Sequence, residues 1–286
     1  MGHLGFVRKI LPNQKMKKET LDKLKNIPHL ELDFQFDFER LKAEVLAANN
    51  KWYGYMPPFM NEHNMRLLGM KPDPEEKKMY DTYQHCSLIT YHPGRYAEVV
   101  SETFAWSTNP ERTQFEHYYN LPYEQRKWYY TPEAEKFPYL KEIVSQITDH
   151  PELCKLIRSQ PGNWLGWHSH QKDPVIRQYD KPEQCILHIP IIQHEDVAFL
   201  VSKNMPSNRS HFDPLDTYRN DPNSFVGSYT PGKVYFFNGT WPHAFKNYSN
   251  EDRLDIVLYS DTTVNDTLEN LISRSIDKYI GPYIEN

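Results

Sequence analysis

Apolar and polar residues alternate near the start of the chain in a pattern that predicts a strand followed by a helix. The stretch "HLELDFQFD" places an apolar side chain at every second position, which is typical of a half-buried strand. Asp37 follows and stands where it can cap a helix through "FERLKAEVLAAN". The apolar positions of the strand are Leu30, Leu32, Phe34 and Phe36, and those of the helix are Phe38, Leu41 and Val45.

From residue 153 onward, the apolar pattern predicts many short strands. The segments "LCKLIRS", "NWLGWHSH", "CILHIPIIQ", "VAFLVS", "KVYFFNG" and "RLDIVLYS" are separated by turn residues, as in a sandwich or barrel. Before them, "YLKEIVSQI" has the apolar spacing of a short helix, and "NDTLENLISRSIDKYI" predicts an amphipathic helix at the end of the chain. The stretch from Lys203 to Pro231 is too long for a hairpin connection, so we expect a mobile lid or a disordered insertion there.

No repeat, low-complexity tract or Gly/Ser linker divides the chain, which predicts a single domain over residues 1–286. We expect residues 1–137 to wrap around the core, residues 138–260 to form it, and residues 261–286 to end in the C-terminal helix. Residues 50–135 are rich in Pro, Tyr and charge and have no pattern that predicts an element. The predicted fold class is therefore an all-β core with flanking helices.

Composition narrows the classes of partner. The formal net charge of −5 is spread along the chain without a basic run, so a nucleic-acid partner is not favoured. No apolar stretch approaches the length of about 20 residues that spans a bilayer, and we expect no membrane association. Cys86, Cys154 and Cys185 lack disulfide or metal spacing, and the N-terminus lacks the apolar core of a signal peptide. These features predict a cytoplasmic protein with reduced thiols.

The residues that could carry chemistry lie in three of the predicted β segments. His168 and His170 end an apolar run, His188 interrupts another, and His243 and Arg253 border the last two strands. Imidazoles and a guanidinium among apolar strands are costly to bury without partners, and an interior metal with a bound anion would satisfy them together. For a single histidine, a hydrogen-bonded core position is the simpler interpretation.

Arg253 also has a simpler interpretation, which is a surface ion pair with Glu251 or Asp255.

Taken together, the three segments resemble the aspartyl/asparaginyl β-hydroxylase family of Fe(II) and 2-oxoglutarate-dependent oxygenases over about residues 138–260. Gly162 precedes His168 by six positions, the family's interval between its Pro-Gly turn and its first iron-binding histidine. Arg253 follows His243 by ten positions, the interval between the distal iron ligand and the arginine that pairs with 2-oxoglutarate. The segment "HIPI" is similar to the family strand whose histidine contacts the cosubstrate, which points to His188.

This resemblance implies a double-stranded β-helix, a cupin-like jelly roll, that binds iron(II) and 2-oxoglutarate and hydroxylates an aliphatic carbon with O₂. His168 and His243 would hold the metal, and Arg253 and His188 would hold the cosubstrate. A planar guanidinium suits the distal carboxylate because it can donate two parallel hydrogen bonds. The aromatic residues that could line the pocket are Trp164, Trp167, Phe236, Phe237 and Trp241.

The chain departs from the family at the third metal position. His170 occupies the place where most related oxygenases have an aspartate and where the β-hydroxylase branch can have glycine. Three interpretations follow, in order of preference: His170 completes a three-histidine site, it turns aside and supports a ligand, or Asp173 substitutes for it.

Further departures weaken the cosubstrate site. Ile186 stands where the family has an arginine, Ile157 where it has a serine, and Pro190 where it has a glycine. Two rival functions therefore remain open: a three-histidine non-haem iron dioxygenase that does not use 2-oxoglutarate, and a non-catalytic cupin-type binding module. The sequence contains no recognisable motif that identifies the substrate, whether an amino acid, peptide or other small metabolite. It also contains none that indicates the oligomeric state.

Overall fold

The computed structural model describes residues 18–54, 82–90, 127–168, 184–202, 224–227, 229–261 and 265–278. Within these ranges the helices are α1 (Lys18–Leu24), α2 (Phe38–Ala47), α3 (Pro138–Ile147) and α4 (Asp266–Lys278), with a 3-10 helix at Glu133–Lys136. The N-terminal strands are β1 (His29–Glu31), β2 (Tyr53–Gly54), β3 (Tyr83–Thr90) and β4 (Tyr129–Tyr130). None of these helices is long and apolar enough to cross a membrane.

Eight further strands build the core. They are β5 (Pro151–Ser159), β6 (Trp164–His168), β7 (Gln184–Ile192), β8 (Val197–Ser202), β9 (Ser224–Gly227), β10 (Tyr235–Phe237), β11 (His243–Asn247) and β12 (Arg253–Asp261). They form two antiparallel sheets, in the orders β10-β7-β12-β5 and β6-β11-β8-β9. The chain crosses between the sheets at most steps, which is the topology of a jelly roll. The protein is therefore a double-stranded β-helix, as predicted.

The first of these sheets, here called the large sheet, is extended by N-terminal strands at both edges. β1 pairs with β10 at one edge, and β3 pairs with β5 at the other. Helices cover the outer face, where alternate residues such as Leu156, Leu187 and Ile256 pack against α2, α3 and α4. Both faces of this sheet are therefore buried, and its inner face is turned toward the second, small sheet.

The interior between the two sheets is an aromatic and aliphatic cluster. From the large sheet it receives Ile157, Ile186, Tyr235, Phe237 and Val257, and from the small sheet Val197, Phe199, Val201 and Phe245. Alternate residues of the small sheet, including Leu200 and Ala244, point away into a separate outer cluster. Any polar residue in register with the inner sets therefore lies inside the barrel.

Most of the predicted elements are confirmed, and their ends have physical causes. Asp37 caps α2 by accepting a hydrogen bond from the Arg40 backbone N–H at 3.0 Å. Asn265 caps α4 in the same way through the Leu268 N–H at 3.1 Å. The turn at Gly162 has φ of 74°, a conformation that favours glycine.

Other expectations need correction. The predicted strand around Leu32 is only three residues long, because the chain leaves β10 after Glu31 while its apolar side chains stay buried. The stretch predicted as a lid contains β9 at Ser224–Gly227, paired with β8, while most of the rest of it lies outside the described residues. The uninterpreted region 50–135 supplies β3, whose buried residues lack alternation because both faces are covered.

Candidate active site

The two predicted iron-binding histidines are brought together by strand pairing. His168 ends β6, His243 begins β11, and their Cα positions are register partners in the small sheet. The next pair along is Phe245 with Leu165, so β6 contains one residue more than β11 between the two pairs. This bulge places His168, and not Trp167, opposite His243. The structure thus confirms that the two positions are neighbours, and it describes only the backbone of His168.

The His243 side chain is held in one tautomer by its own strand. The residue is 5 % exposed, and Nδ1 lies 2.8 Å from the carbonyl oxygen of Trp241. A carbonyl oxygen can only accept, so Nδ1 donates this hydrogen bond, and in the neutral ring the lone pair then lies on Nε2. This backbone contact is the arrangement that orients a metal-binding imidazole. His243 is therefore chemically suited to bind a metal through Nε2.

On the large sheet, His188 and Arg253 meet at a buried carboxylate. Asp255 Oδ2 lies 2.5 Å from His188 Nδ1 and accepts a hydrogen bond from Arg253 Nη2 at 2.8 Å. Arg253 Nε also donates to Gln193 Oε1 at 2.9 Å. Burial raises the pKa of Asp255, but Arg253 and His188 more than offset this, and the net pKa lies below the ordinary value of 3.8. The aspartate is thus ionised between two predicted cosubstrate-binding residues.

Arg253 is not on the surface, in contrast to the simpler interpretation of its sequence context. It is 4 % exposed, and its guanidinium carbon lies 4.9 Å from the centre of the Phe245 ring. Its ion pair with Asp255 is real but internal. The guanidinium has five N–H donors, and only two are used in these contacts, so others can still reach a carboxylate.

A pair of phenyl rings connects the two groups across the barrel. Phe237 lies 4.7 Å from His243 and 5.8 Å from His188, measured between ring centres. Phe199 lies 6.1 Å from His243 and 6.0 Å from His188. The metal-suited histidine and the Asp255 group therefore line one interior space.

That interior holds polar atoms with unmet hydrogen-bonding capacity. Tyr229 stacks on His188 with ring centres 5.4 Å apart, and its hydroxyl is buried without a hydrogen-bond partner among the described residues. Asp255 Oδ1 is also buried without a hydrogen-bond partner among the described residues. Burial, together with the charge of Asp255, raises the pKa of Tyr229 well above its ordinary value. Buried polar atoms of this kind mark a place where a ligand or ordered water completes the structure.

The third metal position is not described. His170 and Asp173 lie outside the described residues, so their relative ranking stays a prediction. Among the side chains that the structure describes, no three His, Cys, Asp or Glu form a metal-binding group. Of the three predicted ligands, only the His243 side chain is included in that set.

The predicted aromatic lining is partly correct. Phe237 belongs to the interior cluster, and Trp241 packs beside it. Phe236 instead faces the helices, and Trp167 joins the outer cluster of the small sheet because of the β6 bulge. Trp164 is only partly buried and belongs to none of the three clusters.

Asp255 was named from the sequence only as a possible surface partner of Arg253, whereas the structure shows this ion pair buried in the interior. Tyr229 is a site residue that the sequence did not reveal. Tyr229 lies in the stretch predicted as a lid and had no signal.

Comparison with known proteins gives a limited result. Neither protein families nor curated proteins show a match to the sequence. Among solved structures, an oxidoreductase of the 2OG-Fe(II) oxygenase family from Burkholderia pseudomallei is similar at 11% identity and a TM-score of 0.42, covering 91% of this chain and 97% of that one. HygX from Streptomyces hygroscopicus, determined with nickel, 2-oxoglutarate and hygromycin B bound, has 11% identity and a TM-score of 0.39, covering 86% and 88%.

A cupin domain from Bordetella pertussis is similar at 16% identity and a TM-score of 0.25, covering 41% of this chain and 88% of that one. At such identities and TM-scores these similarities carry no argument about activity. The chemistry of the site has to be inferred from the residues of this chain.

Proposed function

We propose that this protein is an Fe(II) and 2-oxoglutarate-dependent oxygenase that hydroxylates an aliphatic C–H bond. The observation that carries the proposal is the register pairing of His168 with His243 at the ends of two neighbouring β-helix strands. The Nδ1 contact of His243 with a backbone carbonyl adds to it, since such a contact orients metal-binding imidazoles. His170 is proposed as the third ligand on the basis of sequence alone.

Iron(II) and 2-oxoglutarate, when bound, supply the chemistry that combines O₂ with substrate and cosubstrate to give the alcohol, succinate and CO₂. The residues of this chain bind and orient. Arg253 would donate its remaining N–H groups to the distal carboxylate of the cosubstrate, and Asp255 holds the guanidinium in place. His188 is fixed by the same aspartate beside the cosubstrate. The phenyl rings of Phe199 and Phe237 exclude water from the space between them.

A small molecule or peptide is the proposed substrate class, and we propose that it is modified in the cytoplasm without membrane or nucleic-acid partners. These proposals rest on composition and on the absence of a basic run in the sequence.

One observation favours a second candidate function. The positive charge of Arg253 is already matched by Asp255, and the anion-binding capacity of His188 is directed at the same carboxylate. A three-histidine dioxygenase that binds its substrate directly and ignores 2-oxoglutarate needs no strong carboxylate clamp. The site geometry is compatible with that reaction as well.

Succinate formation separates the two candidates. Purified protein is supplied with iron(II), ascorbate and 2-oxoglutarate under air, and succinate is measured against time without added substrate. The proposal expects slow, iron-dependent succinate formation that is absent in a His243→Ala variant. The control variant His194→Ala, which changes a partly exposed histidine, should still form succinate. Iron(II) bound at full stoichiometry without succinate formation would favour the three-histidine dioxygenase, and failure to bind iron(II) would indicate a binding module.

A further inference from the structure

A second buried cation lies inside the barrel, on the strand next to Arg253. Lys155 is 5 % exposed and is located on β5. It is in register with Val257, two positions from Ile157, and both of these residues belong to the interior cluster. Side chains at alternate positions of a strand share a face, so Lys155 points into the barrel.

Lys155 differs from Arg253 in having no counter-ion in the part of the chain that the structure describes. No carboxylate lies within ion-pairing distance of its ammonium group among the described residues, and Nζ lies 5.6 Å from the centre of the Tyr259 ring. Burial alone lowers the pKa of Lys155 to about 8. The group is thus largely protonated near neutral pH, in surroundings where a lone charge is costly.

A hydroxyl beside it is also unsatisfied. Ser87 on β3 is the register partner of Lys155, which places their side chains on the same face and next to each other. Ser87 Oγ is buried and has no hydrogen-bond partner among the described residues. An ammonium and a hydroxyl that both need an acceptor therefore occupy neighbouring positions on the inner face of the sheet.

We propose that Lys155, with Ser87, forms a carboxylate-binding position inside the barrel, separate from the Arg253 group. A carboxylate supplies the missing negative charge and accepts hydrogen bonds from both donors. The Tyr259 ring bounds the position on the β12 side.

Two sources could provide this carboxylate. It belongs either to the dicarboxylate cosubstrate or to the substrate itself. In the latter case the inference rests on the proposed function, and the substrate of the enzyme is a carboxylic acid. The position relative to His188 allows both. Lys155, Val257 and His188 form one row across β5, β12 and β7, which puts the Cα atoms of Lys155 and His188 about 10 Å apart at ordinary strand spacing.

The first experiment uses metal-free protein, so that it does not depend on the oxygenase proposal. Thermal unfolding is measured with sodium acetate, with acetamide as the neutral analogue, and with sodium chloride at equal ionic strength. Acetate is expected to raise the unfolding midpoint of the wild type above that in chloride, and Lys155→Met is expected to lose this effect. Lys246→Met is the matched control, since Lys246 also lies over a tyrosine ring, 4.4 Å from the centre of Tyr248, but on the barrel surface.

The second experiment measures 2-oxoglutarate binding by calorimetry with manganese(II) in place of iron. A tenfold or greater loss of affinity in Lys155→Met assigns the carboxylate to the cosubstrate. Unchanged 2-oxoglutarate affinity together with a lost acetate effect assigns it to the substrate. If Lys155→Met changes neither the acetate effect nor 2-oxoglutarate affinity, the proposal is overturned.

The folding of the variant provides an internal check. Removal of an unpaired buried charge should raise the unfolding midpoint of ligand-free Lys155→Met, as expected for a residue kept for binding rather than stability. A lower midpoint would mean that the ammonium has a stabilising partner, and it would overturn the proposal. The binding measurements are repeated with a second variant, Lys155→Gln, which retains a polar end group.

Discussion

The two sheets of the barrel present polar groups to the same interior in different ways. On the small sheet, His243 donates a hydrogen bond from Nδ1 to a backbone carbonyl, which orients its ring. On the large sheet, Arg253 and Asp255 form an ion pair and His188 contacts the same carboxylate, while Lys155, two strands away from His188, has no anionic partner among the described residues. The small sheet thus carries the histidine that we propose as a metal ligand, and the large sheet is divided between a closed ion-pair group and a cation without a described counter-ion.

This difference shows that the sequence interval at which a residue lies does not by itself define the role of that residue. His243 and Arg253 both match the intervals of the β-hydroxylase family. The structure adds that Arg253 is paired with Asp255 inside the barrel, whereas the contact given for the His243 ring nitrogens is with a backbone carbonyl. The predictions below test each half of this comparison, beginning with the largest expected effect.

The small sheet is tested by His243→Ala. Loss of a ligand should lower the apparent iron affinity by about a hundredfold or more, which exceeds the usual cost of losing an outer-sphere contact. The fold should survive, because His243 begins its strand. Metal content after dialysis against iron(II) and circular dichroism together measure this, and a stoichiometry equal to that of the wild type would contradict the metal site.

The closed group on the large sheet is tested by Asp255→Asn. The change leaves a buried Arg253 without its counter-ion and should cost about 3 to 5 kcal/mol of unfolding free energy. Asp252→Asn is the matched control, because Asp252 pairs with Arg158 where both side chains are about one third exposed. That variant should lose about 0 to 1 kcal/mol. Equal costs in urea denaturation would show that the buried group is no more important to stability than a surface pair.

Arg253→Lys tests whether the closed group still binds the cosubstrate. The charge is kept, but the planar donors are lost, so the apparent constant for 2-oxoglutarate should rise about ten- to a hundredfold, equivalent to about 1.5 to 3 kcal/mol. The dependence of succinate formation on 2-oxoglutarate gives the value. An unchanged constant would assign Arg253 a structural role and would transfer cosubstrate binding to another group.

His29, on strand β1 at the edge of the large sheet, should make a smaller, pH-dependent contribution to the free energy of unfolding. Burial and the nearby His188 lower the pKa of His29 from 6.5 to about 4. The folded protein keeps this ring neutral while the unfolded chain binds a proton below 6.5, so the contribution is complete above pH 6.5 and is lost as the pH falls toward 4. Urea denaturation across this range should show a shallower pH dependence for His29→Phe than for the wild type. Parallel curves would contradict the buried, neutral state.

Much of the fold could be predicted because its apolar patterns are local. Helices α2, α3 and α4 and most core strands follow from spacing and capping residues such as Asp37. Strand β9 could not be predicted, because four residues inside a long polar stretch give no periodic signal. Pro190 also contradicts a central strand on propensity, yet it lies at the register shift between β7 and β12, where a ladder hydrogen bond is not required.

The sequence indicated which strands carry polar residues but not which way those residues face. Lys155 in "LCKLIRS" and Asp255 in "RLDIVLYS" alternate with apolar residues as solvent-facing residues of a half-buried strand would. Here the helices cover the other face, so the polar side of each strand is the barrel interior. Sequence alternation alone does not distinguish an inward polar face from an outward one. The β6 bulge that sets His168 opposite His243 is equally invisible in the pattern.

The central claim is that the small sheet holds iron(II) and that the interior binds 2-oxoglutarate to it. The most direct test is an anaerobic titration of the iron(II)-loaded protein with 2-oxoglutarate, monitored for the weak visible charge-transfer band of the chelate. The account predicts that the band appears, saturates at one equivalent of cosubstrate per protein chain, and is absent in His243→Ala. Iron bound at full stoichiometry with no band at any 2-oxoglutarate concentration would contradict it.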